Sequence, residues 1–97
     1  MLHTINKSPF ESSTLEDCVR FIADDDAVLL FEDGVYAAIN NSKKSDIINA
    51  VLKTNKVYAL QADLKARGIS SLIDGVEIAD YEKFVDLVEE HPVQAWL

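Results

Sequence analysis

Apolar residues in this chain fall into short blocks, and their spacing switches repeatedly between two periods. Leu2-His3-Thr4-Ile5 reads as a first strand, closed by a turn at Ser8-Pro9. Leu15, Cys18, Val19 and Ile22 recur at helical spacing, and Ser13 with Glu16 have the spacing of a capping box. Asp24-Asp25-Asp26 is a polar turn into a second strand over 27–31. Its run Val28-Leu29-Leu30-Phe31 is uninterrupted, as in a strand buried on both faces. The run stops at Glu32-Asp33-Gly34, where Gly34 marks a sharp exit with positive φ expected. The spacing then predicts a short helix over 34–39, a loop from Asn40 to Ser45, and a helix with Ile47, Ile48, Val51 and Leu52 on one stripe. A third strand over 57–60 leads into a helix over 63–67 that stops at Gly68. A turn at Asp74-Gly75 precedes a short strand over 76–78. Asp80 is a candidate N-cap for a helix striped by Tyr81, Phe84, Val85 and Val88. His91-Pro92 ends that helix, and Val93 to Leu97 reads as a final strand or an apolar tail.

Strands and helices therefore alternate along the whole chain. That order predicts an α/β fold with a parallel sheet between helices on both faces. There is no internal repeat and no low-complexity linker, so residues 1–97 are expected to form one domain. In open α/β sheets, ligands and partners meet the carboxyl ends of the strands. Glu32, Asp33 and Gly34 are accordingly candidates for a functional edge.

Composition narrows the function classes. Lys and Arg total 9 against 17 Asp and Glu, a net charge of −8. So acidic a surface repels phosphates, which argues against unaided nucleic-acid binding. The hydrophobic fraction of 48% alongside that acidity hints at apolar surface kept for partners. No apolar stretch approaches bilayer length, and the first residues lack a basic lead with an apolar core. One cysteine rules out an internal disulfide framework, and a reduced, cytoplasmic setting is expected.

Candidate chemistry is sparse. Cys18, the single thiol, admits two readings: a persulfide carrier or nucleophile, and a small apolar residue on the buried stripe of the first helix. Its neighbours Glu16 and Asp17 disfavour a thiolate, and Arg20 favours one. Glu32-Asp33 reads as a solvated strand end or a cap for the next helix, with acid/base work as the sharper alternative. Asp33 also invites a phospho-acceptor reading. That reading lacks an acidic pair at the end of the first strand, where Ile5-Asn6-Lys7 stands. His3 is expected to be a hydrogen-bonded core residue and His91 a cation at a helix end. Neither histidine forms a ligand pattern with Cys18, and no phosphate-cradling glycine motif occurs, so no metal and no cofactor are expected.

Several segments together resemble one family. They are Met1-Leu2-His3-Thr4 with Asn6-Lys7-Ser8-Pro9-Phe10, and Leu29-Leu30-Phe31-Glu32-Asp33-Gly34-Val35-Tyr36-Ala37-Ala38. They continue as Val57-Tyr58-Ala59-Leu60, Asp63-Leu64-Lys65-Ala66-Arg67-Gly68, Asp80-Tyr81 with Phe84-Val85, and Val93-Gln94-Ala95-Trp96-Leu97. In order and spacing, nearly end to end, the chain resembles the TusB/DsrH family of sulfur-relay proteins. The resemblance implies a three-layer DsrE-like domain with a mainly parallel five-stranded sheet. It implies a heterohexamer with TusC/DsrF-like and TusD/DsrE-like subunits. Such a complex takes persulfide sulfur from a TusA-type donor and passes it to a TusE/DsrC-type acceptor. In the Tus version the sulfur goes on to thiolate the wobble uridine of certain tRNAs; in the Dsr version the relay serves sulfur oxidation. The family's principal carrier cysteine lies on the TusD/DsrE subunit. Cys18 matches a cysteine of DsrH-type members and of some TusB members, and the segment from Ser8 to Cys18 leans toward the DsrH style. The resemblance thus implies a non-catalytic or accessory subunit, with Cys18 a candidate accessory carrier. Docking is expected at Glu32, Asp33, Gly34 and Trp96, where the indole offers a large contact area. The competing classes are an enzyme in which Cys18 itself cycles through a persulfide, and a stand-alone binding or phospho-acceptor domain using Asp33.

Overall fold

A computed structural model describes residues 1–97. The elements run β1 (Leu2–Ile5), α1 (Thr14–Phe21), β2 (Ala27–Leu30), a 3-10 helix (Glu32–Ala38), α2 (Ser45–Val51), β3 (Lys56–Leu60), α3 (Gln61–Ala66), β4 (Glu77–Ala79), α4 (Tyr81–Glu90) and β5 (Val93–Trp96). The five strands make one sheet in the order β4-β3-β2-β1-β5. Every neighbouring pair is parallel. The chain therefore starts near one edge, steps outward to β4, and crosses back to place β5 beside β1.

The uninterrupted apolar runs sit where such runs belong. All four residues of β1 and of β2 are buried, as is the centre of β3. Alternate strand residues feed two cores of unequal size. Ile5, Val28, Leu30, Val57 and Ala59 face the larger one, closed by Leu15 and Cys18 of α1, Val35, Ala37 and Ala38 of the 3-10 helix, Ile48 and Val51 of α2, and Leu64 of α3. Leu2, Ala27, Leu29, Tyr58 and Ala79 face the smaller one, which only α4 covers, through Leu87 and Phe84. No helix is long and apolar enough to cross a membrane.

Local signals held in several places. Asp80 caps α4 by accepting from the Lys83 amide at 2.8 Å. Gly68 follows α3 with φ +66, the left-handed turn that glycine adopts freely. Other details differ. Ser13 precedes α1 but makes no side-chain cap; its hydroxyl instead donates to Asp17 Oδ2 at 3.2 Å, so the capping box does not form. β4 lies one residue later than its apolar spacing suggests, because Ala79 is the residue that turns into the core. Of the stripe predicted on α4, only Phe84 faces the sheet; Tyr81, Val85 and Val88 are exposed and Leu87 takes the buried place. Gly34 does not have positive φ. The left-handed residue at this exit is Glu32, with φ +47. Gly34 is needed for space: a Cβ there would lie 2.1 Å from the carbonyl oxygen of Ile5.

Candidate functional site

The carboxyl edge of the sheet is held by ionic and hydrogen-bonded ties between the 3-10 helix and α3. The Glu32 amide donates to Asp63 Oδ2 at 2.7 Å, and the Gly34 amide donates to the Phe31 carbonyl at 2.8 Å. Arg67 reaches back to Asp33, with Nη2 at 2.9 Å and Nε at 3.0 Å from Oδ1. It also lies 3.5 Å from Asp63 and over the Tyr36 ring at 6.0 Å. The hydrogen bond it donates to Asp33 holds the guanidinium still higher than its ordinary pKa. Asp33 and Glu32 stay solvent-exposed, whereas Gly34 is buried behind them. The Asp33 carboxylate and Tyr36 border a shallow cleft of about 330 Å³ with Ser8, Phe10 and Glu11. At the end of β1, Asn6 keeps a buried side-chain oxygen without a hydrogen-bond partner. This edge is thus a surface braced by the ties of Arg67 to Asp33 and Asp63, with Glu32 and Asp33 open to solvent.

Cys18 is fully buried in the larger core. Burial, and secondarily the charge of Asp26, push its thiol up to about 12 from 9.0. The adjacent Glu16 and Asp17, expected from sequence to oppose the thiolate, are not what raises it. A neutral, enclosed thiol attacks persulfides poorly. In the native chain Cys18 should therefore resist an aromatic disulfide reagent and react fully only after denaturation; fast native labelling would contradict this. Cys18→Ala should lower stability by about 1 kcal/mol, read from urea midpoints.

A second cluster joins the two ends of the chain. His3 is buried on β1, as its position predicted. Trp96 on β5 donates its indole N–H to His3 Nδ1 at 3.0 Å. Since the indole can only donate, Nδ1 is the acceptor, and the proton of neutral His3 sits on Nε2. Nε2 faces Asp26 Oδ2 at 2.9 Å. Asp26 also accepts from the Ala23 amide at 3.1 Å and pairs with the Met1 ammonium at 3.2 Å. These bonds, that to His3 foremost, draw the Asp26 carboxyl down to about 2 from 3.8. A depressed carboxyl stabilises the fold above its unfolded pKa, and that share is lost as pH falls from about 4 to about 2. Acid unfolding should therefore show a loss in this window that Asp26→Asn removes, measured by urea midpoints against pH. An unchanged slope in the variant would contradict the assignment.

Around this network lies a recess of about 320 Å³ lined by Met1, His3, Phe21, Asp26, Gln94 and Trp96. Trp96 is only half-buried, and its ring lies 5.8 Å from that of Phe21, which is 75% exposed. The Phe21–Trp96 pair is an aromatic patch at the free edge of β5. Trp96 was singled out from sequence. Phe21, Asp26 and Arg67 were not. The one signal for Phe21 was its place outside the apolar stripe of α1; Asp26 and Arg67 acquire partners only through strand and helix packing.

The family profile described as DsrH like protein matches residues 7–94. Protein TusB of Enterobacter sp. (strain 638) is 38% identical over 95 residues, covering 97% of each chain. Protein TusB of Pectobacterium parmentieri is 39% identical over 99 residues, covering 99% of this chain and all of that one. Among solved structures, the ychN protein of E. coli superimposes with a TM-score of 0.84 over 97% of each chain at 19% identity, a likeness of fold. With matching sequence over nearly its whole length and the five-stranded parallel sheet in place, the chain belongs to the TusB/DsrH family of sulfur-relay proteins.

Proposed function

We propose that this chain is a non-carrying subunit of a cytoplasmic sulfurtransferase complex of the TusBCD/DsrEFH kind. In such a complex an acceptor thiolate attacks the outer sulfur of a persulfide; the S–S bond breaks and the donor leaves as a thiolate. A subunit that carries sulfur needs an accessible thiol of low pKa. The observation that carries the reading is that Cys18 has neither property: it is enclosed, and its pKa is pushed up to about 12. The chain's part is then to hold TusC-like and TusD-like neighbours, the second of which carries sulfur between a TusA-type donor and a TusE-type acceptor. The contact surfaces are the Phe21–Trp96 patch and the Glu32–Asp33 edge, with Gly34 setting the shape of that edge from behind. Neither surface grips RNA, which suits a chain of charge −8.

Thiolation of the tRNA wobble uridine is the destination this reading assigns, on the strength of the full-length TusB kinship. Sulfur oxidation is the second destination, favoured by the segment from Ser8 to Cys18, which leans toward the DsrH style. A strain lacking this chain separates the two. Loss of 2-thiouridine from digested tRNA supports thiolation, whereas intact 2-thiouridine with impaired sulfur oxidation supports the other. Co-expression with the TusC-like and TusD-like subunits tests the assembly itself. One species containing all three by size exclusion with light scattering is expected, and separate species would contradict it.

A further inference from the structure

The side of the sheet that carries α4 is only half covered. One helix lies over it, and its contribution to the core is Leu87 and Phe84. Tyr81, Val85 and Val88 follow one another at helical spacing along the flank of α4 and remain exposed, at 73%, 41% and 39%. β5 adds to this side. Val93 and Ala95 are in register with Leu2 and Thr4, and Leu2 belongs to the core beneath α4. Both residues are exposed. Trp96, next along, points to the opposite side, toward His3 and the larger core. The two apolar surfaces therefore lie on opposite sides of the sheet.

The charge around the α4 stripe is one-sided. Between Glu77 and Glu90 stand Glu77, Asp80, Glu82, Asp86, Glu89 and Glu90, against the single base Lys83. Lys83 is turned in, with its ammonium 5.6 Å from the centre of the Tyr58 ring. None of the six carboxylates is in an ion pair. An apolar stripe with an unpaired acidic border is complementary to an apolar surface bordered by Lys and Arg. A second copy of this chain would bring like charges together, and a nucleic acid would be repelled.

We propose that the α4 stripe docks a basic-bordered apolar face of another protein subunit, so that this chain bridges two different neighbours across its sheet. This rests on the reading above that the chain works within a TusC- and TusD-like assembly. The test uses the co-expressed complex and purified TusC-like and TusD-like subunits as probes, measured by light scattering and by biolayer interferometry at low and high salt. Glu82→Lys with Glu89→Lys should weaken binding of one neighbour by about tenfold and flatten its salt dependence. Val85→Lys with Val88→Lys should remove that neighbour, while the neighbour at Phe21 and Trp96 stays bound. Thermal melting of each isolated variant checks that it folds. Folded variants that assemble like the parent chain would overturn the docking site, while leaving the subunit role standing. A parent chain that binds neither probe would overturn both. Cross-links joining two copies of this chain through α4 would overturn the choice of occupant.

Discussion

Gly34→Ala should remove a large share of the domain's stability. The added methyl would sit 2.1 Å from the Ile5 carbonyl oxygen and 2.9 Å from its carbon. Both are backbone atoms. That same oxygen accepts the Phe31 amide at 3.1 Å, which joins the end of β2 to β1. Relief therefore requires the 3-10 helix to lift from the sheet or β1 and β2 to part. Overpacking against a backbone that cannot yield lies at the severe end of single substitutions, about 4 kcal/mol or more. A domain of this size holds about 5–15 kcal/mol in total. The melting temperature should fall by roughly 15 °C or more. Gly68→Ala is the informative control. Its Cβ would meet nothing within 4 Å, and only its φ of +66 opposes the change, for about 1 kcal/mol. Equal losses at the two sites would show that close approach is not what Gly34 provides.

Phe21→Glu should release a neighbour from the complex and leave the isolated chain folded. Phe21 is 75% exposed and contributes to the fold chiefly through its contact with Trp96, so monomer stability should change by about 1 kcal/mol or less. In an assembly the same ring would be a central aromatic anchor. Replacing it with a charge should weaken association by about 2 kcal/mol or more, roughly thirtyfold. Titration of labelled variant against the TusC-like and TusD-like subunits reads the difference. Parent-like affinity in a folded variant would remove the patch from the assembly surface.

Much of this architecture was legible because parallel sheets write themselves plainly. The uninterrupted runs at Val28–Leu30 and Val57–Ala59 cannot be amphipathic, and they became the central strands. The order of elements then left few topologies. Of the two readings Cys18 admits, its place on the stripe with Leu15 favours burial, and the structure buries it. What escaped were features set by tertiary contact. Gly34 carries no sequence mark distinguishing a need for space from a need for positive φ. The bond from Trp96 to His3 spans 93 positions and exists only because β5 lies beside β1. The α4 stripe has the helical apolar spacing that a core-facing helix also has. Periodicity shows that a face is apolar, not that this chain supplies the cover. The residues that periodicity misplaces, Tyr81, Val85 and Val88, are those proposed to meet another subunit.

The central claim is that this chain serves a persulfide relay without carrying sulfur. The most direct measurement loads the assembled complex from a TusA-type persulfide donor and maps every modified cysteine by peptide mass spectrometry. The account predicts added sulfur on a cysteine of the TusD-like subunit, none on Cys18, and undiminished transfer to the TusE-type acceptor in the Cys18→Ser complex. Persulfide accumulating on Cys18, with transfer lost in that variant, would contradict it and make this chain a carrier.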